Sequence, residues 1–152
     1  MNRREAIKTS AAFAAALPFL NAATWKPALF TPHQNETVIA LVDLIIPATD
    51  TPGAKGALVN RYMDLILSAG PKSEADRFLN GLKVLDKDQP FVKLPTAKQV
   101  ALLESLDKGE GEGHEFFRMA KSMTSRLYYQ TEAGFKELNK HGIPKTYYAC
   151  TS

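Results

Sequence analysis

The sequence predicts an all-α fold, an irregular bundle of five or six helices with loop-rich connections. Apolar residues recur at spacings of three and four in several segments, which is the pattern of helices with one buried face. Capping and helix-breaking residues separate these segments from one another. No segment alternates apolar and polar residues strictly enough to require a strand, and the best candidate, residues 91–94, is short.

The first helix is predicted to begin after Thr31 and to end at Pro47. Thr31 suits the N-cap position, Pro32 suits the first helical position, and Gln34 can complete a capping box. The buried face of this helix is predicted at Val38, Leu41, Val42 and Ile45. Residues 48–56 contain Thr, Pro and Gly at turn positions, so we expect a loop there.

Four longer helices and one short helix are predicted in the rest of the chain. They are expected from Ala57 to Ser68, from Ser73 to before Asp88, from Thr96 to before Gly109, from His114 to Tyr129, and after Thr131. Thr96 and Gln99 repeat the capping-box spacing, and Thr131 can cap the last helix. Residues 109–113 are interpreted as a flexible acidic linker.

Residues 1–30 are interpreted as a targeting segment and linker, and residues 31–152 as one helical domain. A charged head is followed by an uncharged run at residues 11–20. This run is too short to span a membrane, which needs about 20 apolar residues. It has the length of a signal-peptide core after a positive head. Cleavage or retention of the segment stays open.

The charged head resembles a twin-arginine signal, an address that carries folded cargo across a bacterial inner membrane. The matching residues are Arg3, Arg4, Ile7 and Lys8. Ala6 departs from the usual Phe or Leu, and an ordinary secretory signal is the alternative. We therefore expect a periplasmic protein that the twin-arginine translocase exports.

Composition and spacing indicate neither nucleic acid binding nor a catalytic or metal site. The formal charge of +3 falls to about +1 without the first 23 residues, and a nucleic-acid interface usually needs a concentrated basic face. The three histidines are far apart and match no zinc signature. In the sequence, Asp43 lies before the first loop, Asp50 within it and Asp64 after it. This spacing does not show that their carboxylates converge in space. Cys150 is the single cysteine.

Two stretches resemble the gluconate 2-dehydrogenase subunit 3 family. The first runs from Phe30 to Ala54 and contains the sequence Ile-Ile-Pro-Ala-Thr-Asp-Thr-Pro-Gly-Ala, which is fairly specific for that family. The second and weaker stretch runs from Tyr128 to Leu138. The resemblance implies a small subunit without catalytic residues, bound to a flavoprotein of the glucose–methanol–choline type.

The resemblance also implies cofactors and partners. FAD is expected in the partner subunit and no cofactor in this chain, and a cytochrome c is an expected electron acceptor. The small subunit would help the flavoprotein to mature and would carry it out on the shared signal. A stand-alone periplasmic helical module without a redox partner is the alternative, and a free-standing enzyme is a weaker one.

An interface with the partner subunit is expected at the first loop and at the C-terminal tail. The candidate residues are Ile46, Pro47, Thr49, Asp50, Pro52, Gly53, Tyr147 and Tyr148. Aromatic residues are enriched at protein interfaces, which favours the two tyrosines. Packing of these tyrosines on their own domain, and a purely structural turn at the loop, are the competing interpretations.

Overall fold

The computed structural model describes residues 25–140. This part of the chain folds into seven α-helices and one short 3-10 helix. The α-helices are α1 (Pro32–Ile45), α2 (Gly53–Gly56), α3 (Val59–Ala69), α4 (Lys72–Leu85), α5 (Thr96–Lys108), α6 (Glu112–Tyr128) and α7 (Glu132–Leu138). The all-α prediction is confirmed. The six expected helices are present, and α2 is an additional single turn inside the segment that was predicted as a loop.

The candidate strand at residues 91–94 is a 3-10 helix, Phe91–Lys93. The backbone N–H of Phe91 donates to Oδ1 of Asp86 at 2.8 Å, and that of Leu94 donates back to the Phe91 carbonyl at 3.1 Å. The segment therefore satisfies its backbone hydrogen bonds locally and needs no partner strand.

None of the helices in residues 25–140 is long and apolar enough to cross a membrane.

The two predicted capping boxes have different outcomes. At α1, Thr31 Oγ1 accepts from the Gln34 N–H at 3.2 Å, and Gln34 Oε1 accepts from the Thr31 N–H at 2.9 Å, so this prediction is confirmed. At α5 the prediction is wrong, because Pro95 takes the cap position without a side-chain bond. Gln99 is buried there and donates to the Phe91 carbonyl at 2.9 Å, which satisfies a backbone acceptor of the 3-10 helix.

Helix α6 lies at the centre of the bundle and packs against α1, α3, α4 and α5. Its apolar residues recur at spacings of three and four, so they form one broad face. The buried residues of α6 are Phe116, Phe117, Ala120, Met123, Thr124, Leu127 and Tyr128. The surrounding helices turn their own apolar stripes toward this face, which places the core along α6.

Three aromatic rings connect the start of the described chain to the central helix. The Phe30 and Phe78 rings have centroids 5.9 Å apart, and Phe78 meets Phe116 of α6 edge-to-face at 5.4 Å. All three rings are buried. Edge-to-face pairs of this kind stabilise a core beyond the area that they bury.

Asp64 of α3 anchors the segment that leads into α1. Its carboxylate is 2% exposed and accepts three backbone hydrogen bonds, from Ala28 at 2.7 Å and from Leu29 and Phe30 at 2.9 Å each. A carboxylate provides enough acceptor sites for all three donors. Asp64, one of the three carboxylates around the first loop in the sequence, is therefore a structural residue that fixes where Phe30 enters the core.

We expect Asp64→Asn to lower the free energy of unfolding by about 2 kcal/mol, because the amide nitrogen cannot accept the hydrogen bonds that a carboxylate oxygen accepts. Denaturant unfolding of the purified domain measures this change. Asp76→Asn is the matched control. It removes an exposed carboxylate paired with Lys72, and we expect a loss of less than about 0.5 kcal/mol there. Equal losses for the two variants would contradict the anchoring role.

Candidate functional site

The loop that carries the family-like sequence, residues 46–54, is closed by its own backbone. The N–H of Ala54 donates to the Ile46 carbonyl at 2.9 Å, and the N–H of Thr49 donates to the Thr51 carbonyl at 3.0 Å. The first bond joins the two ends of the 46–54 loop, so α2 starts directly beside the end of α1. The loop is therefore a defined turn.

Gly53 occupies the tightest position of this turn. Its φ is +67°, in the left-handed region that residues with a side chain rarely adopt. A Cβ atom at this position would lie 2.6 Å from the Ala48 nitrogen and 2.8 Å from the Ile46 carbonyl oxygen. Glycine is required here for two independent reasons, the backbone conformation and the space.

A partly buried hydrogen-bond network joins the 46–54 loop to α6 and α7. The Tyr128 hydroxyl donates to Glu137 Oε2 at 2.6 Å, and the Thr51 hydroxyl oxygen lies 3.1 Å from the Tyr128 hydroxyl and 3.3 Å from Glu137 Oε2. We call these three residues the Tyr128 network. Tyr128 is the last residue of α6 and its side chain is fully buried. The network thus connects three elements at one point.

The environment of Tyr128 shifts its acidity. Burial raises the pKa of the Tyr128 phenol above its ordinary value, and the hydrogen bond to the Glu137 carboxylate raises it further. The Thr51 hydroxyl acts in the opposite direction but more weakly. The phenol therefore keeps its proton, which the bond to Glu137 needs.

A second polar contact lies on the surface beside this network. The Lys140 ammonium donates to Asp50 Oδ2, and Thr49 Oγ1 donates to Asp50 Oδ1 at 3.0 Å. The hydrogen bond from Lys140, and then that from Thr49, hold the pKa of Asp50 below its usual value. Asp50 is exposed, so this ion pair helps to place the loop and contributes little to stability.

The predicted interface residues of the loop differ in exposure. Pro47, Thr49, Asp50 and Pro52 are exposed, whereas Ile46 is half-buried and Gly53 is buried. Ile46 packs against the core and Gly53 forms the turn. Contact of these six loop residues with a partner stays a prediction. Tyr147 and Tyr148, and the targeting residues Arg3, Arg4, Ile7 and Lys8, lie outside the described residues.

The remaining candidate groups make separate local contacts. Asp43 pairs with Lys55 at 3.6 Å, and His33 Nε2 lies 2.8 Å from Asp86 Oδ2. His114 Nδ1 donates to the Leu106 carbonyl at 3.0 Å, which ties the start of α6 to the end of α5. Among residues 25–140, no three or more His, Cys, Asp or Glu side chains are placed to hold a metal ion.

The contacts of the loop bring together the two stretches that carry the family resemblance. Thr51 belongs to the first stretch, and Tyr128 and Glu137 belong to the second, 77 and 86 residues away. Sequence analysis did not identify Tyr128, Glu137 or Lys140 as functional residues. Their presence in or just after the second stretch was the signal that could have identified them. The polar groups of this site are hydrogen-bonded to one another, so the site can hold the 46–54 loop and α7 in fixed positions.

We expect Gly53→Ala to lower the free energy of unfolding by about 3 kcal/mol, from left-handed strain plus a clash with loop backbone. Gly111→Ala is the matched control. Gly111 also has a positive φ, +83°, but nothing lies within 4 Å of an added Cβ. The control should lose only about 1 kcal/mol, as measured by thermal and denaturant unfolding. Equal losses of unfolding free energy in the two variants would show that the close approach of the loop backbone to Gly53 does not affect stability.

We expect Tyr128→Phe to lower the free energy of unfolding at pH 7 by about 1–2 kcal/mol, because Glu137 and Thr51 lose a buried partner. The pKa of Tyr128 is raised in the folded state, so its contribution is fully present below pH about 10 and is lost as pH rises through the folded-state pKa. The stability difference between wild type and Tyr128→Phe should therefore be unchanged below about pH 9 and shrink as the pH rises above about 10. A constant or growing difference in denaturant unfolding would contradict the network.

A family model connects this architecture to known proteins. The model for gluconate 2-dehydrogenase subunit 3 matches residues 32–142, well over half of the chain. The matched range starts at the first residue of α1 and includes the 46–54 loop, the Tyr128 network and α7. No curated protein and no solved structure gives a significant match. The chain therefore belongs to the gluconate 2-dehydrogenase subunit 3 family, whose name describes a subunit of a dehydrogenase complex.

Proposed function

We propose that this chain is the non-catalytic small subunit of a periplasmic, FAD-dependent sugar or glycoside dehydrogenase. Its partner is a catalytic flavoprotein of the glucose–methanol–choline type, which binds the FAD. The small subunit helps this flavoprotein to mature and supplies the twin-arginine signal on which both are exported. A cytochrome c accepts the electrons from the complex.

The observation that carries this proposal is the family match over residues 32–142, because subunit 3 is by name one part of a larger dehydrogenase. A subunit of such a complex needs a stable shape and a binding surface. The site around the 46–54 loop supports the first requirement, since its backbone is closed and its polar side chains are hydrogen-bonded to one another.

The N-terminal sequence supports the export part of the proposal. A flavoprotein folds around FAD in the cytoplasm, so it needs a route that accepts folded cargo. Arg3, Arg4, Ile7 and Lys8 match the signal for such a route, and they precede the matched domain on the same chain. A tightly bound small subunit can therefore direct its partner to the twin-arginine translocase.

We expect Arg3→Lys with Arg4→Lys to retain both the small subunit and the flavoprotein in the cytoplasm. The exchange preserves positive charge, so it tests the arginine pair and leaves a general secretory signal intact. The measurement is the amount of each protein in periplasmic and cytoplasmic fractions of the native host, together with dehydrogenase activity and released FAD in the periplasm.

Arg77→Lys with Arg118→Lys is the matched control, because it makes the same exchange at two exposed residues of the helical domain. This variant should export both proteins normally. Normal export of the flavoprotein in the Arg3, Arg4 variant would exclude the escort role. Purification of the tagged wild-type chain from the periplasm without any FAD-containing protein would favour a stand-alone helical module.

A further inference from the structure

An open cavity lies between α1, α2, the start of α3 and the segment that leads into α1. We call it the Trp25 cavity. Its volume is about 560 Å³, within the range of about 300–1,000 Å³ that is usual for small-molecule sites. The described residues that line it belong neither to the 46–54 loop nor to the Tyr128 network, so the site described above does not account for it.

Two amide side chains at the Trp25 cavity bind each other and leave polar atoms unpaired. Asn60 Nδ2 donates to Asn35 Oδ1 at 2.9 Å. Asn60 is only 4% exposed, yet its Oδ1 makes no hydrogen bond with residues 25–140, and neither does Asn35 Nδ2. In the described residues, every fully buried side-chain polar atom has a partner, so this unpaired oxygen is accessible from the cavity. If both amides turn over, one free donor and one free acceptor still remain.

The Trp25 cavity also contains an unpaired carboxylate and a broad apolar surface. Glu36 of α1 is exposed and makes no hydrogen bond or ion pair with residues 25–140. Trp25 is half-buried, and the Arg61 guanidinium lies 4.9 Å from its ring centre. The other apolar residues of the lining are Pro27, Pro32, Ile39 and Leu58.

The backbone holds two walls of the Trp25 cavity in place. Leu58, directly before α3, has a φ of +58°, a left-handed conformation that is unfavourable for a residue with a side chain and recurs at ligand sites. Its carbonyl accepts from the Arg61 N–H at 2.9 Å. On the other wall, Asp64 binds the three backbone N–H groups that follow Pro27. The cavity is therefore formed before a ligand arrives, which lowers the entropic cost of binding.

The charges of the Trp25 cavity favour a neutral ligand. Glu36 repels an anion, whereas Arg61 and Lys55 repel a cation, and Lys55 also pairs with Asp43 at 3.6 Å. A free donor beside a free acceptor matches a hydroxyl group, which both donates and accepts. The aromatic ring and its apolar neighbours match a surface of C–H groups. A sugar ring combines these properties, because it is neutral, carries hydroxyl groups at its edge and has C–H groups on its faces.

We propose that the Trp25 cavity is a binding site for a neutral sugar ring, of the class of sugar or glycoside that the complex oxidises. This inference rests on the proposed function, since the complex is the reason for a sugar site on this subunit. The sugar ring packs on Trp25, the amides of Asn35 and Asn60 bind one of its hydroxyl groups, and Glu36 accepts from another. The site holds the sugar and carries out no reaction.

Trp25 is the single tryptophan of the chain, so it reports on its own cavity. We expect the tryptophan fluorescence of the purified full chain to change saturably with D-glucose and with methyl β-D-glucoside, with dissociation constants of about 10 mM or lower. Isothermal titration calorimetry measures the same constants without relying on the tryptophan. Mannitol has hydroxyl groups but no ring, so it should bind at least about tenfold more weakly.

Asn35→Ala with Glu36→Ala removes polar groups of the Trp25 cavity at two positions of α1 that are not buried. We expect this variant to bind glucose at least about tenfold more weakly, because the hydroxyl groups lose their partners. Its melting temperature should stay within a few degrees, since alanine is a good helix former. Asn80→Ala with Glu104→Ala is the matched control, the same exchanges at exposed residues of α4 and α5 outside the cavity, and it should bind normally.

Three results would overturn the inference. A wild-type chain that gives no saturable response up to about 100 mM of either sugar has no sugar site. Wild-type affinity in the Asn35, Glu36 variant would place the sugar outside the Trp25 cavity. Tighter binding of glucuronate than of glucose would assign the cavity to an anion, held by Arg61 and Lys55.

The sugar titrations use the chain without its partner, so their failure differs from a failure of the proposed function. Absence of sugar binding in a chain that co-purifies with a FAD-containing subunit would remove the sugar site and leave the proposed function standing. A chain that binds glucose but no flavoprotein would overturn the proposed function, and with it the role of the sugar in a complex.

Discussion

The burial of helix α6 is the constraint on which the rest of this structure depends. Its buried residues extend from Phe116 to Tyr128 and form a face too broad for one neighbouring helix to cover. Helices α1, α3, α4 and α5 therefore all pack against it. Each large apolar side chain that leaves water in this way contributes about 1.5–3 kcal/mol, so this helix supplies much of the driving force for folding.

The same helix also determines where the candidate site lies. Tyr128 ends α6 with its ring in the core, and its hydroxyl reaches Thr51 of the 46–54 loop and Glu137 of α7. The 46–54 loop and α7, which are far apart in the chain, are thus both hydrogen-bonded to one buried residue. A similar arrangement exists at Asp64, which accepts hydrogen bonds from three consecutive backbone N–H groups and sets the entry of the chain into α1.

The contacts of the 46–54 loop give three of its residues distinct structural roles. Gly53 permits a turn that no other residue fits, Thr51 joins the buried network, and Asp50 binds Lys140 at the surface. Each of these roles is structural and each acts on the position of α7. The residues of this family-like sequence therefore act together to fix the position of one short helix.

The sequence alone determined the helical class, the positions of the six longer helices and the capping box at Thr31, because helical periodicity and caps are properties of neighbouring residues. It also contains the family-like loop sequence and the N-terminal residues that we interpret as a targeting signal. Only the tertiary structure decided that Gln99 binds Phe91, that Asp64 is an anchor, and that Thr51 meets Tyr128 across 77 residues. The spacing of Phe135 and Leu138 shows that α7 has an apolar side, yet local pattern cannot tell whether the same chain covers that side. That depends on where the other helices pack, and here they leave it exposed to solvent.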